Sequence, residues 1–71
     1  MQKVRQFRLA NIYPSRDGER VRATVVDRDV TRFTNFGPHV REVGEDDEGN
    51  PIVSFPAGML VMGNVLDLDR A

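Results

Sequence analysis

The chain has no cysteine and no tryptophan among its 71 residues, only one histidine, and one lysine (Lys3) beside nine arginines. Without cysteine there is neither a disulfide framework nor a thiolate metal site to staple a small fold. A domain of this length buries only about 60% of its unfolded surface, so a modest apolar core, or a partner, must hold it. No apolar run approaches the roughly 18 residues that a membrane-spanning helix needs, and the N-terminal residues lack the apolar stretch of a secretory signal. A cytoplasmic protein, or a component of an assembled particle, is the expectation, with no membrane contact.

Catalytic signatures are equally scarce. His39, the only histidine, follows Pro38 and has no partner at a spacing that suggests a triad. There is no nucleophile elbow, no phosphate-binding loop and no His-Glu-x-x-His helix. Glu45-Asp46-Asp47-Glu48-Gly49 superficially resembles a calcium loop. Gly44 stands where the first ligand should be, and the closing glutamate is missing, so the run reads as a solvated hairpin tip. The pairs Asp27/Asp29 and Asp67/Asp69 would share a face in a strand, yet nearby arginines offer ordinary cross-strand ion pairs. The expectation is a non-enzymatic protein with no cofactor, no metal and no small-molecule substrate.

What the sequence does contain is turn chemistry. Ser15-Arg16-Asp17-Gly18 and Asp46-Asp47-Glu48-Gly49 each lie between runs rich in valine, isoleucine, phenylalanine and arginine. A type I turn closed by a left-handed glycine is a common short hairpin loop, because its twist matches that of paired strands. Period-two alternation predicts strands over residues 3–13, 19–34, 39–43, 52–55 and 59–68. In the first, Phe7, Leu9 and Tyr13 share one parity. In the second, the apolar phase flips at Val25-Val26, which predicts a bulge there. The predicted fold is all-β: one domain over residues 1–71, a five-stranded antiparallel meander curled into an SH3-like open barrel, with an OB-like barrel as second choice.

Charge is segregated along the chain. Residues 1–41 carry +5 and residues 42–71 carry −6, giving the net −1. Arg5, Arg8, Arg20, Arg22, Arg28 and Arg32 form a candidate basic face, and Glu45, Asp46, Asp47 and Glu48 a candidate acidic tip. Arginine suits fixed, forked contacts with carboxylate or phosphate. Met59, Leu60, Val61 and Met62 are apolar at both parities, so one parity is a candidate contact strip for another subunit.

These features predict a protein-binding or structural accessory subunit of a larger assembly, such as a virus particle component, acting through surface complementarity with a protein partner or its own copies. A positive and a negative end on one rigid body favour head-to-tail packing. The alternatives are a compact inhibitor or regulator that docks on a host enzyme, and a small nucleic-acid-binding barrel that uses the arginine-rich half with Phe7, Tyr13 and Phe33 as stacking faces.

Overall fold

The computed structural model describes residues 6–27 and 36–70, and these are all-β. Six strands, β1 (Gln6–Pro14), β2 (Arg20–Val25), β3 (Arg41–Glu45), β4 (Pro51–Pro56), β5 (Leu60–Val61) and β6 (Val65–Asp67), join in one sheet in the order β3-β4-β2-β1-β6-β5. Every pairing is antiparallel. Short 3-10 turns occupy Ala57–Met59 and Leu68–Arg70.

Both predicted hairpin loops form. The Gly18 N–H donates to the Ser15 carbonyl at 3.0 Å and the Gly49 N–H to the Asp46 carbonyl at 3.1 Å. The two glycines adopt φ of +74° and +85°, the left-handed region that side chains with a Cβ enter only at a cost.

Three expectations are corrected. The strands are not a meander: β2 pairs with β4, and β3 lies outside β4 at the sheet edge. The stretch 59–68 is not one strand. It holds β5, a turn and β6, because Met62 and Gly63 both take positive φ (53° and 79°) and the Asn64 N–H closes the turn on the Val61 carbonyl at 3.2 Å. Finally, the irregularities lie in β1 and in β3, between Glu42 and Gly44, and not at Val25-Val26. Register runs Leu9↔Val25 and Ala10↔Thr24, then resumes at Tyr13↔Arg22, so β1 carries one extra residue. Asn11 has φ +54° within this shift, a conformation that asparagine tolerates better than most residues. The predicted second strand is β2 over Arg20–Val25, and residues 28–35 lie outside the described residues.

The core gathers the inward parity of the long strands. Phe7 and Leu9 of β1 meet Val21, Ala23 and Val25 of β2 and Val53 and Phe55 of β4, with Phe36, Met59, Leu66 and Leu68 closing the ends. Phe7 and Phe36 pack edge-to-face with ring centroids 5.4 Å apart, the arrangement their quadrupoles favour. Phe55 is fully enclosed. Phe55→Ala should lower stability by about 3–5 kcal/mol, read as a shift in the denaturant midpoint. Asn11→Val should cost about 1–2 kcal/mol, because a β-branched residue is forced to positive φ, whereas Asn11→Gly should remain near wild type.

Candidate binding face

Cross-strand partners in a sheet share a face, so the register defines the outer surface. Tyr13 of β1 stands opposite Arg22 of β2, Arg22 opposite Ser54 of β4, and Ser54 opposite Arg41 of β3. The four positions form one row across four strands, about 14 Å from end to end at the usual strand spacing. Arg20 lies two residues before Arg22 on β2 and points to the same side. Its Nε donates to the Ser54 hydroxyl at 3.0 Å and its guanidinium NH2 group to the Ser54 carbonyl at 2.9 Å. That fork fixes Arg20 across the β2–β4 pair.

Open depressions line this surface. One, of about 370 Å³, runs from Tyr13 and Pro14 past Arg20 and Arg22 to Ser54. A neighbouring one, of about 360 Å³, is bordered by Arg20, Arg22, His39, Arg41 and Val43. No carboxylate lines either of them. A third, toward the other end of the strands, takes in Tyr13, Arg22 and Ile52 and reaches Asp46. Arg22 borders all three, so it sits at the centre of the face. Tyr13 is 65% exposed and Val43 is 43% exposed, giving the cationic surface two apolar contacts.

The sequence-predicted residues divide as follows. Arg20 and Arg22 belong to this face. Arg8 is exposed on β1 at the same parity as Ala10, two residues further from the row. Arg5, Arg28 and Arg32 lie outside the described residues. Two members, Arg41 and His39, escaped the sequence pattern, and Tyr13, expected as a stacking face, was assigned the parity of Phe7 and Leu9. The Asn11 shift puts Tyr13 on the opposite face from Phe7 and Leu9, against the simple alternation. The asparagine was the one available signal. Arg41 joins only because β3 pairs with β4, which spacing along the chain does not reveal.

The acidic tip is a rigid Asx-type loop. Asp46 Oδ1 accepts from the Glu48 and Asn50 N–H groups at 2.9 and 2.8 Å, and Oδ2 accepts from Asn50 Nδ2 at 3.0 Å. Both oxygens are therefore engaged within the loop. Glu45, Asp47 and Glu48 are exposed around it. Asp17 does the same work in the other hairpin, accepting from the Ser15 hydroxyl at 2.6 Å and the Glu19 N–H at 3.0 Å. These bonds hold both carboxyls below their ordinary value of 3.8: the Asn50 amide leads at Asp46 and the Ser15 hydroxyl at Asp17. Among the described residues, no group of three or more histidine, aspartate or glutamate side chains converges as a metal site, and no helix is long and apolar enough to cross a membrane.

The apolar run is split by its turn. Met59 is a core residue, 1% exposed, so its side chain is not at the surface. Leu60 packs partly against the core and Val61 is half-buried. Met62 alone projects, 78% exposed, from the turn between β5 and β6. No family model, no curated protein and no solved structure matches this chain.

A carboxyl whose folded pKa is depressed stabilises the fold above its unfolded value, and that contribution disappears as pH falls through the lower folded value. Asp46→Asn should therefore melt below wild type at neutral pH, with the gap narrowing in thermal melts taken below pH 3.8. Met62→Asn should raise stability by about 1 kcal/mol, because asparagine enters the left-handed region more cheaply than methionine. Chemical denaturation reads that gain directly.

Proposed function

We propose that this protein is a non-enzymatic binding or structural subunit whose working surface is the outer face of β3-β4-β2-β1. The carrying observation is the concentration of exposed Tyr13, Arg20, Arg22 and Arg41 on that single face, centred on Arg22. Tyrosine and arginine dominate the energetics of protein interfaces, since each combines a broad contact area with directed polar groups. Arg20 is held in place before any partner arrives, which reduces the ordering cost of docking. Such a subunit fits a role in an assembled particle, including a viral one, or as a compact regulator docked on a larger protein. An acidic protein surface is the complementary partner.

The finer architecture belongs to the same proposal. The sheet curls as an SH3-like open barrel within a single domain. In support, β1 is shared: its first residues pair with β6 and its later ones with β2, and its extra residue near Asn11 supplies the bend such a shared strand needs. Met62 is a second candidate contact, since a bulky exposed side chain sits where the backbone disfavours it.

One observation favours a nucleic-acid reading, namely that Tyr13 is exposed beside Arg22, as a stacking face beside a cation. A net charge of −1 counts against it, because nucleic-acid modules are usually strongly basic. Fluorescence polarisation with a labelled acidic peptide and with a labelled single-stranded oligonucleotide, each across a salt series, separates the two. The acidic peptide should bind, weaken with salt, and lose about tenfold or more in affinity on Arg22→Glu. Tighter oligonucleotide binding that collapses on Tyr13→Ala would transfer the face to nucleic acid.

A further inference from the structure

The cationic row and the acidic tip lie at opposite ends of the same strand pair. β3 begins at Arg41, in the row with Ser54, Arg22 and Tyr13, and ends at Glu45, where the tip starts. Four residues of strand separate them, about 13 Å, before the loop extends further. The tip belongs to a hairpin, and Asp46 at its base borders a depression shared with Arg22 and Tyr13. Glu45, Asp47 and Glu48 are exposed and line none of the depressions that Arg22 borders.

We infer that the cationic row docks the acidic hairpin tip of a second copy of this chain, giving head-to-tail association. This rests on the reading of that face as a protein-docking surface and names its occupant. Three observations select a second copy. The tip is prebuilt, since Asp46 is consumed in holding the loop and Glu45, Asp47 and Glu48 are left exposed around it. The depressions at the cationic end carry Arg20, Arg22, His39 and Arg41 and no carboxylate, so nothing in their lining competes with an incoming acid. They open to solvent, with Tyr13 in the lining of one and Val43 in that of the other as apolar contacts for an entering hairpin.

The two surfaces differ, so the contact is heterologous. Each copy offers a free tip and a free face after docking, and growth continues until a ring closes or a filament forms. Exposed ion pairs are individually weak. Association should thus need high protein concentration and should fade as the screening length falls from about 10 Å at 0.1 M salt to about 3 Å at 1 M.

Sedimentation velocity on the full chain, at a pH well above the pI of 5.7, tests this with two double variants. One, Arg22→Glu with Arg41→Glu, blocks the face. The other, Asp47→Asn with Glu48→Gln, removes the tip's charges without making it complementary to the reversed face, and leaves Asp46 and Asn50 to hold the loop. All four positions are exposed, and thermal melts verify that both variants fold. Wild type should grow in mass with concentration at low salt and return to monomer at high salt. Each variant alone should stay monomeric. Their equimolar mixture should form a one-to-one dimer and nothing larger, because only one intact face and one intact tip remain. Variants that assemble like wild type, or a mixture that stays monomeric, would overturn the inference. So would assembly that vanishes on nuclease treatment. A wild type that is monomeric under all conditions yet still binds the acidic peptide overturns the second copy as occupant and leaves the docking face standing. Failure of both removes both.

Discussion

One extra residue in β1 decides what this molecule presents to its surroundings. Up to Ala10, β1 keeps Phe7 and Leu9 in the core and Arg8 outside. The left-handed turn at Asn11 inserts a residue, and from there the alternation is reversed. Tyr13 emerges opposite Arg22 on the outer face. Without the insertion the ring would point inward with Leu9, and the cationic row would lose its aromatic member. β1 pairs with β6 over Gln6–Arg8 and with β2 from Leu9 onward, so it lies inside the sheet. A shared strand with a local twist is how a short chain wraps a core without leaving both of its longest strands at an edge.

The second determinant is strand order. Arg22 and Arg41 are far apart in sequence but share a row because β2 and β3 both flank β4. Chains of alternating residues reveal which side chains share a face within a strand. They say nothing about which strand lies next door. That is why Arg20 and Arg22 could be placed on one side of their strand, while Arg41 and His39 could not be joined to them. The hairpin loops were legible for the opposite reason. Ser15–Gly18 and Asp46–Gly49 are local: a carboxylate that accepts its own loop's N–H groups and a glycine at positive φ specify the turn without tertiary help. The break inside residues 59–68 was hidden because methionine is a poor advertisement for a left-handed position, and the apolar run around it reads as continuous strand. Even so, Gly63-Asn64 stood in that run as a turn signal.

Charge separation follows from these two rules together. Four acids sit in or beside the loop at one end of β3 and β4, where the turn uses Asp46 structurally, while Asp17 and Glu19 lie in the hairpin at the opposite end of β2. The arginines project from strand positions at the other end, where the pleat spaces them and Ser54 clamps Arg20. Each group occupies the kind of backbone that suits it. Aspartate and glutamate are poor strand residues and good loop residues, whereas arginine lays its long stem along a sheet and keeps its head in water. The charges thus fall where the local backbone tolerates them.

Met62 is the place where these local rules are broken. A two-residue left-handed turn is best served by asparagine and glycine, and here the first position carries a large apolar side chain that stays almost wholly in water. Neither burial nor turn propensity rewards that choice, and the buried polar groups of the fold are otherwise satisfied among the described residues. A domain this small has little stability to spare, so the choice runs against the fold's own economy, and methionine is a residue that adapts its shape to irregular apolar surfaces. The turn and the cationic row then share one trait: the core of this sheet is ordinary, and its departures from local preference lie on its exposed surface.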